Sequence, residues 1–144
     1  MGSPAAPQAK VNTMPSQKTT AWIGFGYRYK GTYRSCKNGR DVLQKAFQQL
    51  ALDNPRFLAD FAARTDSTLF TKGQVRRYLA RTKLELYPNH PDLALLPSHA
   101  VKLYVAGEWW LDVHQDMRMK ERILQMACEV AGLRYGEDLK VDLG

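Results

Sequence analysis

From Ala21 to Lys30 the chain alternates. Ile23, Phe25, Tyr27 and Tyr29 fall on one side, and Trp22, Gly24, Gly26 and Arg28 on the other, the period of two that marks a strand. Lys30-Gly31 supplies a permissive turn and Thr32 to Cys36 a returning strand, so a hairpin is expected. The period then changes. Behind Asn38, a residue suited to capping, Val42, Leu43, Ala46, Phe47 and Leu50 recur at helical spacing. Asn54-Pro55 restarts a helix whose inward face is Phe57, Leu58, Phe61 and Ala62. Thr65 to Lys72 is polar and reads as a loop, and Gly73 to Arg81 reads as a strand. Prolines at 88, 91 and 97 exclude regular structure over the next stretch, beyond a short helical turn. Val101, Leu103 and Val105, a turn at Ala106-Gly107 and Trp109 to Val113 form a second hairpin. Asp116 caps a helix carrying Ile123, Leu124, Ala127, Val130 and Ala131, which Gly132 closes. Leu139, Val141 and Leu143 alternate as a last strand that returns to the sheet.

These elements predict an α+β fold: an antiparallel sheet built from two hairpins and an arginine-bearing strand, packed against about three helices. Residues 1–20, with prolines at 4, 7 and 15 and no periodicity, read as a disordered tail, and 21–144 as a single domain. A length of 144 residues with 44% hydrophobic content suits one core. No apolar run approaches the roughly 20 residues that span a bilayer, so no membrane partner is expected and a cytoplasmic location is. Cys36 and Cys128 match no metal or redox spacing and read as reduced, packed thiols.

Charge alters the picture. The net charge is +7, but residues 1–83 hold 15 Lys and Arg against 4 Asp and Glu, whereas residues 84–144 hold 6 against 10. A basic half and an acidic half form the electrostatic pattern of a protein that faces a polyanion. The strand at Gly73–Arg81 concentrates it: Arg76, Arg77 and Arg81 lie within six residues beside Tyr78, and arginine's rigid fork suits phosphates and guanine edges. A solvated edge strand is the plain alternative for such a segment. Arg28, Lys30 and Arg34, interleaved with Tyr27, Tyr29 and Tyr33, add a second basic and aromatic run that can stack on bases and neutralise phosphates. Core packing is the plain alternative for those rings.

Catalytic chemistry finds less in the chain. Asp138-Leu139-Lys140 with the distant Asp92 is a weak match to a metal-dependent nuclease. His90, His99 and His114 with Asp92, Asp112 and Asp116 follow no familiar ligand spacing. No glycine-rich phosphate loop or nucleophile setting is present, so neither an enzyme nor a cofactor is expected.

The order of helix pair, Gly73–Arg81, proline-bearing loop, Trp109-Trp110-Leu111 and terminal helix resembles the DNA-binding domain of the SeqA family, negative modulators of replication initiation that recognise hemimethylated GATC sites. Gly73, Arg76, Tyr78 and Ala80 are similar to that family's Gly-Arg-Thr-Arg-x-Tyr-Phe-Ala, and Trp110-Leu111 to its Tyr-Trp-Val-x-Thr-Asn. The likeness spans about residues 40–133 and extends to small domains attached to restriction-system proteins. Gln74 stands where the family has its first arginine, and His114 and Asp116 where it has base-contacting asparagines. The resemblance therefore implies a DNA-binding scaffold more than GATC or methylation readout.

The expected function is non-catalytic binding of double-stranded DNA, in a replication-control or restriction and defence setting and associated with the nucleoid. Arg76, Arg77 and Arg81 would hold phosphates or reach a groove, Gln74, His114 and Gln115 would offer polar groups to base edges, and Arg28, Lys30 and Arg34 would extend the footprint. A protein-interaction module using the Trp and Tyr surface is the alternative, and a nuclease the second. A homodimer or a larger host complex would be the further partner.

Overall fold

Asn38 opens the first long helix: its Oδ1 accepts the Asp41 amide at 2.9 Å, meeting one of the donors that a helix start leaves unpaired. The computed structural model describes residues 24–64, 68–71, 74–88, 90–105 and 107–144, with only the backbone described along 68–71 and 74–76. The expected tail over 1–20, and Trp22 and Ile23 of the first strand, lie outside the described residues. In chain order the elements are β1 (Gly26–Tyr29), β2 (Thr32–Ser35), α1 (Gly39–Asp53), α2 (Phe57–Ala62), β3 (Thr68–Thr71), β4 (Gln74–Arg77), β5 (Leu79–Ala80), α3 (Lys83–Leu86), a 3₁₀ helix (Pro91–Leu95), β6 (Ala100–Lys102), β7 (Trp110–Asp112), α4 (Met117–Ala131) and β8 (Leu139–Asp142). The class is α+β, as the periodicities predict. No helix among the described residues is long and apolar enough to cross a membrane.

The strands do not join into the one sheet expected. They divide into β2-β1-β8, β3-β4 and β5-β7-β6, each antiparallel throughout. The stretch Gly73–Arg81 is interrupted at Tyr78, so that β4 and β5 belong to different sheets. Tyr78 is buried and its carbonyl accepts the Asp112 amide at 2.8 Å, which hands the chain from the ribbon to β7. The polar segment before it is no plain loop either, because Thr68–Thr71 pairs with Gln74–Arg77 in the register Thr71↔Gln74 to Thr68↔Arg77.

The main core lies between the β2-β1-β8 sheet and the helices. Tyr27, Tyr29 and Leu139 are buried on the inner face of that sheet, and α1 packs against β1, β8, α2 and α4. Phe47 of α1 meets Phe57 at 5.4 Å and Phe61 at 5.1 Å between ring centroids, the latter edge-on, a preferred arrangement for aromatic pairs. Asp116 caps α4 through the Met119 amide at 2.8 Å, and Gly132 ends it at φ 72° in the left-handed region, where only glycine sits without cost. The β1–β2 turn has Lys30 at φ 47° and Gly31 at φ 88°, the double positive φ that matches a tight hairpin to strand twist.

A smaller cluster forms on the far side of β5-β7-β6: Ala80, Leu86, Tyr87, Ala94 and Ala100 are buried, with Leu93 and Trp110 packed against them. The edge of β6 is blunted from α1, where Gln44 Nε2 donates to the Lys102 carbonyl at 2.8 Å and Gln48 Oε1 accepts the Tyr104 amide at 3.0 Å. Otherwise these backbone groups would be open to another strand.

Candidate nucleic-acid interface

Three groups of residues chosen from the sequence end up in three settings. The first is the β3–β4 ribbon. It pairs with neither three-stranded sheet, and Gln74 and Arg76 stand two residues apart on β4 opposite Thr71 and Leu69. Positions i and i+2 of a strand share a face, so these two share one, and Val75 and Arg77 share the other. The side chains of Gln74 and Arg76 lie outside the described residues. That of Arg77 is half-buried at the end of the ribbon.

The second setting is the outer face of β2-β1-β8. The registers Arg28↔Tyr33 and Arg28↔Lys140 align one residue from each strand in a single row. All three are exposed, and among the described residues neither Arg28 nor Lys140 has a carboxylate partner. Arg34, paired in register with Tyr27, is exposed on the outer strand. Of the tyrosines expected to stack, Tyr27 and Tyr29 are core, and the Tyr29 hydroxyl donates to Asp53. Tyr33 alone stays on the surface, at 38% exposure. Its ring occupies the space above Gly26, where a Cβ would come within 2.6 Å of the tyrosine hydroxyl. Glycine at 26 thus makes room for this chain's own aromatic ring. Burial, and then the nearby Cys36 and Asp142, raises the Tyr33 hydroxyl pKa. Lys30, at the hairpin tip, lies 5.2 Å from the Tyr29 ring centroid and 4.0 Å from Asp53.

The third setting joins β7 to the start of α4. The Asp112 carboxylate is fully buried, the one buried charged side chain among the described residues. It accepts the Tyr87 hydroxyl and, at 3.0 Å, the His114 amide. The His114 ring is exposed and stacks on His99, 3.7 Å between centroids at 19°. Gln115 Nε2 donates to the Asp112 carbonyl at 2.8 Å, while its Oε1 is buried with no donor among the described residues. The Gln115 carbonyl accepts Lys120 Nζ. Burial, and then the nearby Arg40, lowers the Lys120 pKa. The segment 112–116 is therefore tied together by hydrogen bonds, with His114 at its surface.

Arg81 departs from the other arginines of its segment. Its guanidinium carbon lies 4.5 Å from the Trp109 ring centroid and its Nε donates to the Glu108 carbonyl at 3.0 Å. It caps a buried tryptophan and remains exposed at its rim. The adjacent Trp110 is half-buried, so the two rings divide between core and surface as alternation demands. Asp138 has its carboxylate held by the Arg134 amide at 2.8 Å and by that residue's guanidinium at 3.2 and 3.1 Å. Hydrogen bonds from the Arg134 side chain hold its pKa below the usual range. Among the described residues no three His, Cys, Asp or Glu side chains are grouped to hold a metal ion.

No protein-family model matches the chain, and no curated protein or solved structure matches it either.

Sequence reasoning missed two features of this surface. The β3 strand is bracketed by threonines and contains only Leu69 and Phe70 as apolar signal. The α3 helix has four residues, yet it carried a signature: Thr82 and Glu85 form a Ser/Thr-x-x-Glu box, and Thr82 Oγ1 accepts the Glu85 amide at 3.4 Å.

Proposed function

We infer that this chain is a non-catalytic DNA-binding domain whose principal contact is the β3–β4 ribbon. The observation that carries the reading is the ribbon itself, a two-stranded antiparallel element outside both larger sheets with Gln74 and Arg76 on one face. The major groove admits a two-stranded β-ribbon, arginine pairs bidentately with guanine, and glutamine with adenine. Arg28, Arg34 and Lys140 are exposed cations without carboxylate partners among the described residues; they would add phosphate contacts, which supply affinity and orientation but not sequence. The SeqA-like order of elements, the nucleoid setting and a replication or restriction context belong to the same reading, with Arg76 as the matching contact position.

The test is a titration of unmodified, hemimethylated and fully methylated duplexes at two salt concentrations. If about four to six basic groups neutralise phosphates, log K falls against log salt with a slope on the order of −4 to −5. Arg76→Ala should weaken binding by about 1–3 kcal/mol and leave the melting temperature nearly unchanged. Gln74→Ala should change preference among duplexes more than total affinity. A salt-independent affinity, or an Arg76→Ala variant that unfolds while its folded fraction still binds normally, refutes the ribbon as the site.

A further inference from the structure

Seven large apolar side chains are exposed among the described residues, and four of them belong to the segments that frame one groove: Leu84 at 56%, Leu95 at 64%, Leu96 at 43% and Tyr104 at 74%. The groove is a shallow trough of about 280 Å³ between β6, the 3₁₀ helix and α3. Ala100, Leu95 and Trp110 supply apolar walls, and Tyr104 stands at its rim. Among the described residues that line it, Lys83 and Lys102 are the charged ones, and the Glu108 carboxylate accepts the indole N–H of the wall residue Trp110 at 3.4 Å. Lys83 Nζ rests 4.8 Å from the Trp110 ring centroid, and Lys102 is the β6 partner of Trp110 in register. Lys102 at the end of β6 and Tyr104 just beyond it are pinned to α1 by the Gln44 and Gln48 hydrogen bonds, at 2.8 and 3.0 Å. These bonds fix the backbone of one wall, which lowers the cost of ordering that wall on binding.

We propose that this groove is a docking site for a short segment of a partner protein, one that presents a leucine or aromatic anchor flanked by aspartate or glutamate. Exposed Leu95 and Tyr104 on a concave wall with Trp110 mark a protein contact, whereas the same apolar groups against a phosphodiester backbone would desolvate charge without compensation. The anchor fills the space beside Trp110, and Tyr104 closes over it as the kind of rigid amphipathic ring that dominates such contacts. Flanking carboxylates meet Lys83 and Lys102, which fix orientation and reject basic competitors. A chain with both this groove and a DNA-binding ribbon would bridge DNA to a second protein.

A phage library of random twelve-residue peptides, selected against the full chain, tests this. The selected peptides should share an apolar anchor with acidic flanks. Their affinity should fall about tenfold or more for Tyr104→Ala and Leu95→Ser, as expected when an anchor contact is lost. Both side chains are largely exposed, and unchanged thermal melting would verify the fold of each variant. Lys102→Glu should weaken the acidic peptides and accept versions with lysine flanks. Selected peptides that ignore all three substitutions, a basic consensus, or displacement of the peptides by a twelve-nucleotide oligothymidylate at low salt would each overturn the proposal.

Discussion

The two apolar clusters of this molecule are built differently. The main one joins two 15-residue helices to the inner face of a sheet and fills its centre with Phe47, Phe57, Phe61, Leu43, Leu50, Ile123 and Leu124, all almost wholly buried. The smaller one is assembled from a four-residue helix, a five-residue 3₁₀ helix and strands of two and three residues. Three of its five buried residues are alanines. In the first, shape and area suffice. In the second, where little area exists, a buried carboxylate ties the pieces together: Asp112 on β7 receives the hydroxyl of Tyr87, 25 residues earlier in the chain. The peptide groove is built on the second cluster, and α3 also lies against β4 at the base of the ribbon. Both proposed contacts are thus carried by the region with the thinner apolar support, where local opening is least costly.

The contrast predicts an ordering of effects. Phe47→Ala removes a ring packed on two others and should cost about 3–5 kcal/mol, with Phe61→Ala similar. Leu86→Ala, in the small cluster, should fall near the lower end of the leucine range, about 2–3 kcal/mol, because short elements collapse more readily into a vacated space. Chemical denaturation of the three variants measures this. A larger loss for Leu86 than for Phe47 would reverse the comparison.

The Asp112 tie should come next. Asp112→Ala removes the acceptor that receives the Tyr87 hydroxyl and the His114 amide, and losing one partner of a buried hydrogen bond costs about 1–3 kcal/mol. Tyr87→Phe removes one donor and should cost less. In a double-mutant cycle the two changes should couple by about 1 kcal/mol or more. Additive losses would mean that the carboxylate acts through other groups and that the two segments are joined by packing after all.

The same division explains how much could be read from the chain. The caps at Asn38, Asp116 and Gly132 and the apolar stripes behind them are local signals, and all three helix ends fall where those residues stand. The tight turn at Lys30-Gly31 is local too. How strands are shared among sheets is decided by contacts distant in sequence: Tyr78 leaves the ribbon because its carbonyl finds Asp112, and nothing within a few residues of Tyr78 announces that. The basic residues were legible as types but not as neighbours. Arg81 sits on Trp109, while Arg28, Tyr33 and Lys140 are aligned through a register that joins β1 and β2 to the distant β8.

The smallest effect sharpens the comparison most directly, because the main cluster contains its own reporter. Cys128 on α4 is 1% exposed, and Cys36 is half-buried beside the first sheet. Burial, followed by nearby carboxylates, pushes both thiols from the ordinary 9.0 up to about 11. A raised folded-state pKa means that the unfolded chain gives up these protons first. The stability associated with the neutral thiols is fully present below about pH 9 and drains away between 9 and about 11. Tyr29 and Tyr135, also raised by burial, extend the loss to higher pH. Cys36→Ser should shallow the alkaline decline without altering stability at pH 7. Thiolate access, unlike the shift, differs between the two cysteines. At pH 8 iodoacetamide should label Cys36 slowly in the native state and Cys128 only when the helices part. The Cys128 labelling rate then follows opening of the main cluster, and should rise more in Phe47→Ala than in Leu86→Ala. Were Cys128 in the wild type labelled as fast as Cys36, the main cluster would open as easily as the surface, and the contrast between the two regions would fail.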